Sequence, residues 1–188
     1  MKIRWPPSPL GLGTPLNLAL ASPRTREQFK HFWWLPLAMG LLVPLLMFAI
    51  DQVLFAGVSM QRVRELGSQS LLNRLLLVVY SGVTEEIFFR LLLSTVVAWP
   101  VYAILSRFKS HPKALSQWAG IIVSAVLFGL AHVANLPEVP HPVLRAVTTN
   151  GVAGLFLGWL YWWYGLETAI LTHMTAIIVI YIVVPLFL

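Results

Sequence analysis

The stretch Ser81-Gly-Val-Thr-Glu-Glu-Ile-Phe-Phe-Arg90 decides how this chain folds. It lies inside an apolar run that begins at Leu71 and continues past Leu93. An ionisable side chain at membrane depth costs roughly 2.5 kcal/mol or more, so such groups are usually paired or functional. Here three of them stand within six residues. On a helix, Glu86 and Arg90 are four apart and share a face, so they pair. Glu85 is rotated by about 100° from Glu86. Its face carries Ser81, Gly82, Phe88 and Phe89, and small residues one turn earlier let a second helix approach closely. A purely structural ion-pair cluster accounts for Glu86 and Arg90 and leaves Glu85 over.

The composition around this stretch fixes the class. Of 188 residues, 58% are hydrophobic and 11% charged, against about 25% charged in an ordinary soluble domain. The apolar residues come in runs of about 20, the length that spans a bilayer as helix. No alternating strands of the kind a membrane β-barrel needs are visible. The reading is an all-α, polytopic transmembrane helix bundle. The net charge of +6 lies mostly in short loops and an N-terminal arm. Topology and lipid headgroups explain it there, with no call for nucleic acid. Cysteine is absent, which excludes disulfides and thiolate chemistry.

Residues 1–32 read as a Pro-rich cytoplasmic or interfacial arm, with Pro6, Pro7, Pro9, Pro15 and Pro23 and no sustained apolar core. Residues 33–188 read as one transmembrane domain of about five spans, within a range of 5–7. The expected spans are Trp33–Phe55, Leu71–Leu105, Trp118–Ala134, Val143–Tyr164 and Leu166–Leu188. The second is too long for one perpendicular crossing, so it is tilted or bent near Pro100. Between the first two, Arg62, Arg64 and Glu65 mark a short amphipathic connection. Asp51 and Gln52, near the end of the first span, are expected to be solvated at the interface. Gly154 and Gly158 form a small-xxx-small contact face, and Gly165 makes a tight turn. The distribution of Lys and Arg places the N-terminus in the cytoplasm of a multi-pass protein of the cell membrane.

Two further polar residues fall inside apolar runs. Phe128 and His132 are four apart in Phe128-Gly-Leu-Ala-His132, and His173 lies about two turns into the last span. A lone intramembrane His is commonly a packed hydrogen-bonder. Two of them on separate helices, with an unpartnered Glu, mark a site. The chemistry of one Glu with two His has two forms. In a metal-free hydrolase Glu85 takes a proton from water, His132 orients that water and His173 donates to a developing oxyanion. In a zinc hydrolase Glu85, His132 and His173 are the ligands and a fourth position stays open. The His spacing lacks the one-helix H-E-x-x-H pattern. One complete helix separates the end of span three from the start of span five. His132 and His173 therefore meet only near mid-depth, or through a short or re-entrant element after the third span.

The order Glu85-Glu86-x-x-x-Arg90, then Phe128-x-x-x-His132, then His173 resembles the CAAX prenyl protease and bacteriocin-processing family of intramembrane glutamic proteases. The resemblance runs from about Leu71 to Ile180. It implies an intramembrane endopeptidase acting on a membrane-anchored or prenylated-type peptide, with membrane lipids as surroundings and no cofactor, zinc being the alternative. It implies that Glu85 activates water, that His132 and His173 assist, and that the Glu86–Arg90 pair holds structure. Family members carry Asn or Asp four residues after the third-motif His, where this chain has Ile177. Asn150 is a candidate replacement amide from the neighbouring helix. The competing expectation is a weak or inactive family member acting as a membrane interaction or immunity protein. A transporter or proton relay is disfavoured by five spans without broken-repeat symmetry.

Overall fold

A bilayer core offers no water to backbone amides, so each apolar run must close its own hydrogen bonds as helix. The computed structural model describes residues 33–55, 59–108, 112–135 and 140–187, and no strand occurs among them. In chain order the helices are α1 (Trp34–Phe55), α2 (Ser59–Gly67), α3 (Leu71–Leu105), α4 (Lys113–Ala131), α5 (Pro142–Tyr164) and α6 (Leu166–Phe187). All except α2 are long and apolar enough to cross a membrane. The protein is a polytopic helical bundle, as its apolar runs require. The expected arm at residues 1–32 lies outside the described residues.

Helix α3 holds the largest departure from simple periodicity. Its 35 residues rise about 52 Å, well beyond a hydrocarbon core of about 30 Å. The Ser70 hydroxyl caps its start by accepting from the Asn73 amide at 3.2 Å. The helix is regular over Leu71–Tyr80, π-helical over Ser81–Glu85 and Ile87–Ser94, and regular again over Thr95–Leu105, running through Pro100. Thus the signature stretch, Glu86 excepted, sits on widened turns. Such turns admit an extra residue, redirect side chains and often mark functional sites.

Helix α4 starts at Lys113 and ends at Ala131, earlier at both ends than its apolar run indicates. His132 is the first residue beyond it, and Val133–Asn135 makes a single 3₁₀ turn. That turn is the described part of the expected short element; residues 136–139 lie outside the described ones.

The close packing of α4 on α5 depends on small residues. A Cβ added at Gly154 would stand 2.9 Å from the Ala125 Cα, and one at Gly158 would stand 3.1 Å from the Ile121 side chain. The Gly154-x-x-x-Gly158 face therefore contacts α4. At the far end of α5, Gly165 takes φ 99°, which only glycine adopts without strain, and the chain reverses into α6. Around this turn lies the apolar core of Ala98, Ile121, Leu160, Trp162 and Ala169. The Trp162 indole donates to the Ser94 hydroxyl at 2.8 Å and satisfies its one buried donor. Helix α2 turns Val63 inward and Arg64 and Glu65 outward, so it is amphipathic as expected.

Two outcomes follow from this architecture. Gly154→Val should lower the thermal midpoint of the purified protein, with a loss of about 1–3 kcal/mol, the usual cost of overpacking. Single cysteines at Gln69 and Ser106, both exposed and at opposite ends of α3, should react with an impermeant maleimide from opposite sides of the membrane. Labelling from one side would contradict a spanning α3.

Candidate active site

Glu86 and Arg90 pair as their spacing requires, with Arg90 Nη1 3.1 Å from Glu86 Oε1 and both side chains wholly buried. The Arg90 guanidinium also lies 4.3 Å from the centroid of the Phe128 ring, a cation–π contact. The same Glu86 oxygen holds a second partner, His173, whose Nδ1 donates to it at 2.8 Å. The reading of Glu86 and Arg90 as a self-contained pair is therefore incomplete. Glu86 binds a guanidinium from its own helix and an imidazole from α6.

Glu85, the adjacent residue, turns the other way. Its Oε2 stands 3.8 Å from His132 Nε2, beyond hydrogen-bond distance, and this buried oxygen has no hydrogen-bond partner among the described residues. The His132 ring is fixed from behind, because its Nδ1 lies 2.8 Å from the Phe128 carbonyl oxygen. The end of α4 thus holds the imidazole in place. Phe128 separates the two imidazoles, its ring centroid 4.6 Å from that of His132 and 5.9 Å from that of His173. Phe89 closes on it edge-to-face at 5.1 Å. The expected difficulty of bringing His132 and His173 together is resolved by α3, which presents one carboxylate to each of them.

Glu85, His132, His173 and Phe128 line one cavity of about 280 Å³. Glu86 and Arg90 stand behind its wall. Asn150 and Ile177 both reach the lining, Asn150 half-buried and Ile177 buried. The Asn150 amide makes only a long contact, 3.4 Å, to the Thr149 hydroxyl. Much of the remaining wall is apolar and comes partly from α1 and α2, through Met47, Phe48, Val63 and Leu66.

Sequence reasoning missed one element of this site. Asp51 was expected at the interface, but it is 1% exposed and forms an ion pair with Arg145 of α5, which lines the cavity. Two opposite charges inside apolar helices are themselves the signal for such a pair. As to a metal, no three His, Asp or Glu side chains among the described residues converge as a binding group. Glu85 and His132 approach one another at 3.8 Å, two donors where a zinc site needs at least three.

Glu86→Gln should leave Arg90 buried beside a neutral group, at a cost of about 3–5 kcal/mol, and free the His173 ring. Thermal unfolding in detergent should show the loss. Glu85→Gln, whose side chain faces the cavity, should unfold close to the parent.

A family model described as type II CAAX prenyl endopeptidase Rce1-like matches residues 67–179. No curated protein and no solved structure matches the chain. The matched segment covers more than half of the sequence and contains Glu85, Glu86, Arg90, Phe128, His132 and His173. On that match the chain belongs to the Rce1-like type II CAAX prenyl endopeptidase family.

Proposed function

We propose that the protein is an intramembrane endopeptidase that hydrolyses a membrane-anchored or lipidated peptide with Glu85 as its base. One observation carries the reading. Glu85 is half-buried at the cavity, and its buried Oε2 has no hydrogen-bond partner among the described residues and faces an imidazole nitrogen 3.8 Å away. A carbonyl oxygen only accepts, so the 2.8 Å contact to Phe128 puts the His132 proton on Nδ1. In the neutral ring Nε2 is then an acceptor, as is Glu85 Oε2. Two acceptors at this separation are bridged by one water that donates a hydrogen to each, at about 2.8 Å apiece. Glu85 removes a proton from that water as its oxygen attacks the peptide carbonyl carbon, and returns the proton to the departing amine.

The same proton logic redistributes the assisting roles. Glu86 only accepts, so His173 Nδ1 carries the proton and the neutral ring has an acceptor at Nε2. A neutral His173 cannot donate to an oxyanion. Asn150 has an amide at the cavity wall and takes that role in this reading, where other family members use a residue at the position of Ile177. Ile177 itself favours a second reading, a weakly active member that chiefly binds its membrane partner.

Zinc is disfavoured by the donor set rather than by chemistry in principle. Elemental analysis of protein purified without a His tag, with activity followed before and after a strong chelator, should give sub-stoichiometric metal and unchanged turnover. Stoichiometric zinc with activity lost on chelation and restored by zinc would overturn the metal-free mechanism.

Proteolysis of a peptide library in liposomes tests the reading itself. Glu85→Gln should insert normally and lose cleavage; an active Glu85→Gln would remove the base assignment. Asn150→Ala should lower kcat by about 10²- to 10³-fold, the effect of losing one oxyanion donor. Ile177→Asn should restore part of that loss in the Asn150→Ala background, because both positions face one cavity. A parent protein that binds peptides without cleaving any would favour the second reading.

A further inference from the structure

One buried polar group at the cavity is used neither by the hydrolysis above nor by the fold. Thr172 of α6 is 0% exposed and lines the cavity, and its Oγ1 has no hydrogen-bond partner among the described residues. A threonine in a helix ordinarily returns its hydroxyl to the carbonyl three or four residues earlier. The neighbouring threonines do so. Thr168 donates to the Tyr164 carbonyl at 3.1 Å, Thr175 to the Leu171 carbonyl at 2.7 Å, and Thr149 of α5 to the Arg145 carbonyl at 2.8 Å. Thr172 makes no such bond. A buried hydroxyl left unpaired is destabilising, so this one calls for a partner that the fold itself does not supply.

Its surroundings determine where that partner comes from. A Cβ added at Gly40 of α1 would stand 2.9 Å from the Thr172 carbonyl oxygen, so α1 lies flush against α6 at this level. The cavity is the side left open to the hydroxyl. The bond from His173 to Glu86 joins α6 to α3, and Thr172 precedes His173 as Glu85 precedes Glu86. The hydroxyl therefore stands one residue from the bond that places Glu85, and both residues line one cavity. Val43, Leu157 and Ala176 give the same wall apolar surface. A peptide held there carries one N–H and one C=O per residue that water no longer reaches, and each needs a partner. A hydroxyl donates to a carbonyl oxygen or accepts from an N–H. A hydrocarbon chain can do neither with it. The peptide part of a lipidated substrate is thus the part whose chemistry matches Thr172.

Resting on the peptidase reading, we infer that Thr172 is a substrate-binding residue whose hydroxyl hydrogen-bonds a backbone amide group of the bound peptide. It holds the peptide in register with Glu85 and takes no part in the proton transfers.

Thr172→Val replaces the hydroxyl by a methyl of the same size. Its thermal midpoint should equal or exceed the parent's, because an unpaired buried hydroxyl is removed; a hydroxyl that served the fold would give a lower one. Binding is read with the full-length Glu85→Gln protein in phosphatidylcholine vesicles. The probe is the most tightly bound member of a library of lipid-anchored peptides, remade with a single backbone ester in place of each amide in turn. An ester removes one N–H and weakens one C=O as acceptor. At one position the ester should weaken binding about tenfold, the size of one well-made hydrogen bond. Adding Thr172→Val should weaken binding of the all-amide peptide by a similar factor and make the ester at that position neutral to within about twofold. Thr172→Ser should keep the sensitivity. With Glu85 intact, Thr172→Val should raise KM about tenfold and leave kcat within about twofold. Additive losses at every position would overturn the inference, as would a lowered thermal midpoint. A fall in kcat at unchanged KM would also overturn it, in favour of a contact made only in the transition state. Non-additive pairing in binding with no cleavage by the parent would sink the peptidase reading and leave Thr172 as a peptide-binding residue. Cleavage with additive losses would do the reverse, and failure of every peptide to bind would overturn both.

Discussion

Glu86 Oε1 is the point on which the site depends. One oxygen forms an ion pair with Arg90 at 3.1 Å and accepts from His173 at 2.8 Å, in a carboxylate that solvent does not reach. An uncompensated buried charge would cost several kcal/mol, and the guanidinium removes that cost only while the pair stays intact. The pair therefore fixes the rotation of α3, and with it the direction of the neighbouring Glu85. It also fixes α6, because His173 reaches across to the same oxygen. The carboxylate that faces the cavity is placed by the carboxylate that does not.

Phe128 extends this constraint to the third helix. Its ring lies under the Arg90 guanidinium, meets Phe89 edge-to-face, and stands between the two imidazoles. Its backbone carbonyl meanwhile sets the His132 ring through Nδ1. A single residue thus couples the electrostatics of α3 to the imidazole at the end of α4. This gives a physical reason for the spacing Phe-x-x-x-His. The fourth residue after the aromatic is the one whose side chain can turn back to the carbonyl of the last helical turn.

The parts of this arrangement that depend on local pattern were legible in the sequence. Apolar runs located five spans because hydrocarbon admits only self-satisfied backbone. Helical spacing located Glu86 with Arg90 and Phe128 with His132. The parts set by tertiary packing were not legible. The π-helical turns over Ser81–Glu85 and Ile87–Ser94 carry no side-chain signature, since an extra residue per turn is accommodated by what packs outside it. The His173–Glu86 bond joins residues 87 apart, and periodicity says nothing at that range. Asp51 was misplaced because its position near a helix end suggested water, whereas its partner Arg145 lies in the fourth span, 94 residues later. The arm at residues 1–32 lies outside the described residues, so its reading stays an expectation.

The boundary of the family match divides the cavity into two kinds of wall. Glu85, Phe128, His132, Asn150, His173 and Ile177 lie within residues 67–179, whereas Val43, Pro44, Met47, Phe48, Val63 and Leu66 precede it. The matched segment brings Glu85 and both cavity imidazoles, and the part before it brings apolar surface together with Asp51, which pairs with Arg145. Catalytic geometry tolerates little displacement, because reacting atoms must meet within a few tenths of an ångström. An apolar wall can change shape at a cost of about a kcal/mol per methylene. In the peptidase proposed above, selection among lipidated peptides is assigned to the wall that α1 and α2 supply rather than to Glu85 and His132. On that proposal, exchange of Met47, Phe48, Val63 or Leu66 for smaller or larger apolar residues should change which peptide fits and leave the contacts of Glu86 in place.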